Sequence, residues 1–304
     1  MTDLKKAEPR QQKHSSLPVV AASSLAGTAV EWYDFFLYGT AAALVFNKLF
    51  FPTDDPLVGT MLALVKFVLV HGAWHYGEMW DPVRTHLEAA GHEVHTPTAG
   101  GLGPNDSKYV NLNGAAEPII EYIREHNLSD FVLVGHSWGG YLISRVAIEM
   151  PERIRRLVYF AAFVPEHGKA LVDEVPPHLR AALQASADER SDGSVVLPFF
   201  VWRDGFFNDG SAEHAQEIYD VLRPQPFGAF TDPADMTGWE RVPQAFSYIA
   251  PLDDNDITQG EWGRHPRLSN RLGVFRLVSM EGSHEVLLTN PGYTALKFIE
   301  AGRD

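Results

Sequence analysis

Short apolar runs alternate with stretches of helical spacing along most of this chain. Phe67–Val70 is aromatic and β-branched and ends in His71-Gly72, the mark of a buried strand entering a loop. Asp81–Ala90 has helical periodicity and stops at Gly91, where a glycine suits a helix C-terminus. His92–His95 predicts a second short strand, followed by the glycine- and proline-rich loop TPTAGGLGPN. Ala115–His126 is helical, and Phe131–Val134 is a strand that leads into GHSWGG. A helix from Gly140 to about Met150 and a strand over Leu157–Phe163 come next. Such alternation predicts an α/β architecture, with a mostly parallel sheet flanked by helices on both faces. Residues 165–240 break the alternation with helical patches and aromatic clusters such as LPFFVWRDGFF, and read as an inserted cap. Strands are expected again at Ala245–Ala250 and Val274–Ser279, and the final helix begins near Gly292.

The first part of the chain has a different character. Residues 1–16 are polar and aperiodic, which predicts a disordered tail. Leu17–Phe51 is largely apolar, and only Glu31, Asp34 and Lys48 carry charge in it. Its length suits a membrane helix, but the two acids would be costly in lipid. It is too long and too late for a simple signal peptide. The run EWYDFFLYG and its surroundings resemble the first transmembrane segment of metabolite:proton symporters of the major facilitator superfamily. That resemblance stops near Leu64, and no further spans follow as a transporter requires. The expected organisation is an N-terminal extension over 1–64, the remnant of a fused or mis-started frame with Met61 as a possible true start, and a catalytic domain over 65–304.

Composition narrows the function. A net charge of −14 argues against nucleic acid as a partner, because phosphate binding needs clustered Lys and Arg. The absence of cysteine removes disulfides, thiolate nucleophiles and Cys-based metal sites. It fits a reducing compartment, so the expected location is cytoplasmic, with membrane contact through residues 17–51 as the less favoured alternative.

Gly135-His136-Ser137-Trp138-Gly139 fits G-x-S-x-G directly between a predicted strand and a predicted helix, the context of a nucleophile elbow. Ser137 then sits at a helix N-terminus, where developing negative charge is favoured. A serine hydroxyl needs a base, and the base needs an orienting acid. In the order Ser, acid, His, the base is His284, in the loop after the last predicted strand; His265, before that strand, reads as a surface residue. The acid should follow the strand ending near Ala250, and spacing leaves Asp253, Asp254 and Asp256 open. Oxyanion N–H groups are expected from Trp138 and from Ala73, in the loop after the first strand. Pocket walls are expected from Trp74, Phe200 and Trp202, with Trp80 as a further wall or as packing. An aromatic cap suggests apolar or aromatic acyl groups. His92-Glu93-Val94-His95 lacks the H-E-x-x-H spacing, and Gly100-Gly101-Leu102-Gly103 lacks a phosphate-binding pattern, so neither a metal nor a cofactor is expected.

VLVHGAWHYGEMW, GLGPNDSKYVNL, VLVGHSWGGYLI, LRPQPFGAFTDP and GSHEVLLTNP together resemble the plant methylesterase and hydroxynitrile lyase family and its bacterial esterase relatives, over residues 66–302. The resemblance implies the α/β-hydrolase fold and, laid on YIAPLDDNDIT, a catalytic acid at Asp254. The lyase branch carries a threonine and a lysine where this chain has Ala73 and Glu285, and a negative charge beside the histidine would oppose a cyanide leaving group. The reading is a cofactor-free serine hydrolase of a small-molecule carboxylic ester or lactone. A hydroxynitrile lyase or cofactor-independent oxygenase on the same scaffold is the alternative, and a membrane-tethered binding protein the alternative of another class.

Overall fold

In the computed structural model, residues 64–243, 245–257 and 260–303 are described. The apolar segment 17–51 and its transporter-like run lie outside the described residues. Among those described, no helix is long and apolar enough to cross a membrane.

The sheet has six strands in the order β2-β1-β3-β4-β7-β8. They are β1 (Lys66–Val70), β2 (Glu93–His95), β3 (Phe131–His136), β4 (Ile154–Phe160), β7 (Phe246–Pro251) and β8 (Phe275–Met280). Each neighbouring pair is parallel. All six residues of β3 are buried, as expected of a central strand covered on both faces. The covering helices are α1 (Asp81–Ala89), α2 (Leu112–Glu125), α3 (Gly139–Glu149) and, after the cap, α6 (Pro291–Gly302). Alternation along β3 separates the two layers: Val132 lies against Gly302 of α6, while Gly135 lies against Ile143 of α3.

Between β4 and β7 the chain leaves the sheet. This excursion holds α4 (Pro177–Asp188), α5 (Ala212–Tyr219) and a two-stranded antiparallel ribbon of β5 (Ser194–Val195) and β6 (Gln225–Pro226). A π-helical turn, Trp202–Phe206, lies between them. Such turns widen the helix by one residue and often occur where a side chain must be re-aimed.

Helix ends follow local chemistry. α1 carries Asp81 and a proline in its first turn and is followed by Gly91 at φ 90°. The expected helix at Ala115 starts instead at Leu112, because the Asn111 side chain accepts a hydrogen bond from Gly114 N at 2.9 Å. The strand expected over Leu157–Phe163 is shifted to Ile154–Phe160, and Ala161 leaves it at φ 45°.

Candidate active site

Loops after β1, β3, β7 and β8 converge at the C-terminal edge of the sheet, where β1 and β3 flank the point at which strand order reverses. After β3, Ser137 has φ 54°, a left-handed conformation rare for a residue with a Cβ. It is imposed from both sides. Ser137 N donates to Phe160 O, and Ser137 O accepts from Gly140 N and Phe163 N, each at 3.1 Å. Close approach also demands glycine at 140, since a Cβ there would stand 1.9 Å from Phe163 O.

The loop after β1 lies directly over this turn. A Cβ on Gly72 would meet Ser137 Cβ at 3.2 Å. His71 fixes that loop: Ala99 N donates to its Nε2 at 3.0 Å, and its Nδ1 donates to Gly72 O at 2.8 Å. Those partners define a neutral tautomer, and burial pushes the His71 pKa down to about 3. Trp74, at φ 63°, donates its N–H to Gln225 Oε1 at 3.1 Å. His75 Nδ1 donates to Ala73 O at 2.8 Å. Neither Ala73 N–H nor Trp138 N–H enters a backbone hydrogen bond outside the helices and strands of the described residues. Ala73 and Trp138 are nonetheless buried. Buried donors left open in this way suit an oxyanion.

His284 and Asp254, the candidate base and acid, come from the last two loops. His284 Nδ1 is 2.9 Å from Asp254 Oδ2, which leaves Nε2 as the nitrogen able to take a proton. His284 is also held to the elbow, because His136 Nε2 donates to His284 O at 3.1 Å and the two rings lie 4.6 Å apart. His136 is therefore the neutral Nε2–H tautomer, and burial drives its pKa well down. Burial also works against charge on His284, but the Asp254 and Asp256 carboxylates outweigh it and the pKa is raised. For Asp254, burial favours the neutral acid, yet His284 and Arg264 prevail and hold its carboxyl far below the usual carboxylate range.

Of the three acids that spacing left open, Asp253 is exposed and accepts from Gly282 N at the sheet edge. The Asp256 side chain is buried beside Asp254 and forked by Arg264. The expectation of a surface position for His265 is corrected: its ring is half-buried and stacks on Tyr248, and its Nδ1 pairs with Ser269 Oγ.

The aromatic wall differs from the expected one. Rings form an arc from His284 to Phe206 (5.3 Å), Trp74 (5.9 Å), Phe230 (6.0 Å) and Trp138 (5.9 Å). Trp74 lies in this arc as expected. Phe200 does not; it is 68% exposed, because the chain turns through the π-helical segment and aims Phe206 inward instead. Trp202 is fully buried behind Phe206, stacked on it at 6.0 Å and bonded through Nε1 to Ala215 O. Trp80 packs between His136 and Phe298 in the core. Glu285 Oε2 is buried 3.3 Å from His75 Nε2, with no hydrogen bond formed by either atom. The groups His75/His136/Glu285 and Asp254/Asp256/His284 offer metal-type donors. His136 already spends its Nε2–H on His284 O, and Arg264 already supplies the second group's positive charge, so a cation would have to displace existing partners.

A profile of the alpha/beta hydrolase family matches residues 67–295. The chain is 35% identical over 196 residues to a carbendazim hydrolyzing esterase of Nocardioides, spanning 62% of this chain and 73% of that one. It is 35% identical over 106 residues to Methylesterase 7 of Arabidopsis thaliana, 33% of this chain and 41% of that one. Among solved structures, an extracellular alpha/beta-hydrolase from a Paenibacillus species superposes with a TM-score of 0.77 at 34% identity, over 79% of this chain and all of that one. That protein is described as sharing structural and functional homology with tobacco salicylic acid binding protein 2.

Proposed function

This chain belongs to the alpha/beta hydrolase family, and from that premise we propose that it hydrolyses small carboxylic esters through an acyl-enzyme on Ser137. Ser137 Oγ attacks the acyl carbonyl while His284 Nε2 takes its proton. Asp254 holds the Nδ1–H and balances the imidazolium that forms. The N–H groups of Ala73 and Trp138 receive the oxyanion. On collapse, His284 returns the proton to the departing alkoxide and an alcohol leaves. Water then attacks the acyl group, again with His284 as base, and releases the acid. The observation that carries this reading is the His284–Asp254 bond of 2.9 Å beside a serine held at positive φ.

The substrate class is a small ester or lactone with an apolar or aromatic group. Support comes from the aromatic arc that runs from His284 to Trp138 and from relatives named as esterases. Ala73 in place of a threonine, and a Glu285 carboxylate turned toward His75, offer nothing that would stabilise departing cyanide. A panel of aryl and short alkyl esters, lactones and an aromatic cyanohydrin tests the proposal. Hydrolysis of aromatic esters with no cyanide release is expected. Cyanide release at rates above ester turnover would overturn it.

A further inference from the structure

His284 Nδ1 faces a second buried carboxylate besides Asp254. Asp254 Oδ2 lies 2.9 Å away and Asp256 Oδ2 3.7 Å away. Their side chains are only 8% and 3% exposed. Asp256 is clamped, since Arg264 Nη1 and Nη2 donate to its two oxygens in a planar fork. Arg264 Nη1 also reaches Asp254 Oδ2 at 3.3 Å.

One carboxylate and two leave different net charges around His284. Arg264 is itself buried, and its positive charge offsets one of the two acids. With Asp254 alone, the group would be neutral at rest and would acquire an uncompensated buried positive charge when His284 is protonated. With both acids it carries one negative charge at rest and becomes neutral at the imidazolium stage, which is where stabilisation accelerates the reaction. Distance does not disqualify Asp256. Coulomb attraction falls inversely with separation, so at 3.7 Å it keeps about four-fifths of its strength at 2.9 Å.

We propose that Asp256, clamped by Arg264, is a positioning residue that acts with Asp254 to stabilise the His284 imidazolium. This rests on His284 being the base for Ser137. The remaining groups facing His284 do not supply the charge. His136 is held neutral by burial, Phe206 is apolar, and the Glu285 carboxylate is directed at His75. Burial pushes the Asp256 carboxyl up and Asp254 adds to this against the pull of Arg264. Both acids raise the His284 pKa, and Arg264 lowers it.

The test is the pH dependence of kcat/KM on an activated aryl ester, in which the acid limb reports His284. Asp256→Asn should move that limb to lower pH and reduce kcat about ten- to a hundredfold. Asp254→Asn should keep activity above that of His284→Ala, and the double variant Asp254→Asn/Asp256→Asn should fall to the His284→Ala level. Removing the clamp as well, in Asp256→Asn/Arg264→Gln, deletes one charge of each sign and should return the limb toward its parental position. An unmoved limb in a folded Asp256→Asn enzyme would overturn the proposal. So would a charge-balanced double variant whose limb stays displaced; this variant decides the matter even where Asp256→Asn alone does not fold. Labelling of Ser137 by a fluorophosphonate in the parent enzyme separates the two claims. If labelling fails, the mechanism is wrong; if it succeeds and the limb does not move, only the role of Asp256 is wrong.

Discussion

At the scale of single residues, the site is built by side chains whose alternatives are closed off. His71 and His136 are locked in one tautomer each by partners that leave no choice. The proposed substrate class singles out Phe206, because its ring meets both the His284 and Trp74 rings. Phe206→Ala should raise KM for aromatic esters by about tenfold relative to a small acetate ester, whereas Phe200→Ala should change it less than about twofold. Equal effects in steady-state kinetics would contradict the placement of the arc. Ser137 and His284, on which the proposed mechanism rests, could be singled out in the sequence because a glycine-flanked serine after an apolar strand has few other uses, and chain order then points to the histidine. Asp254 needed the family resemblance, since three acids share one short loop. Arg264 and its bond to Asp256 carried no signal, because a clamp between two loop residues has no periodicity to read. Phe206 was hidden for a similar reason: a π-helical turn shifts which aromatic faces inward, and helical spacing cannot show that.

At the scale of elements, the strands and most helices followed from hydrophobic pattern, and the misplaced boundaries have local causes. The N-cap at Asn111 starts α2 at the buried Leu112, three residues before the expected Ala115. β4 begins within Ile154-Arg155-Arg156, a sequence too charged to read as a strand. Arg155 is neutralised by Asp130, and Arg156 reaches Phe246 O. The cap is fastened by charge as well as by apolar contact. Glu174, 4% exposed, accepts from Arg267 at 2.7 Å and pairs with Arg271 at 2.9 Å. That ties the cap entry to the segment that carries Arg264. Glu174→Ala leaves two guanidinium groups facing each other over a vacated buried position, at a cost of about 3 kcal/mol. Thermal unfolding should show Tm lowered by roughly 10 °C; an unchanged Tm would remove Glu174 from this role.

At the scale of the whole molecule, acid should destabilise the fold well before its carboxylates titrate. In the unfolded chain His71 regains a pKa near 6.5, but in the folded chain it is held at about 3. Between those values the unfolded state binds a proton that the folded state refuses, so stability falls as pH drops. At about 1.4 kcal/mol per unit, His71 alone contributes at most on the order of 5 kcal/mol across that window. His136 is depressed in the same direction. His284 and Asp256 are raised and run the opposite way, their contributions being present at low pH and lost as pH rises through their folded values. The large His71 and His136 depressions prevail, so Tm should decline between pH 6.5 and pH 4, and a flat profile would refute the neutral buried histidines. The central claim is that these loops together activate one serine. A fluorophosphonate reacts only with a serine whose proton has a base to receive it, so mass spectrometry of the labelled protein tests the claim directly. The account predicts one adduct on the peptide containing Ser137, absent in Ser137→Ala and strongly slowed in His284→Ala. An adduct on another serine, or unchanged labelling in His284→Ala, would contradict it.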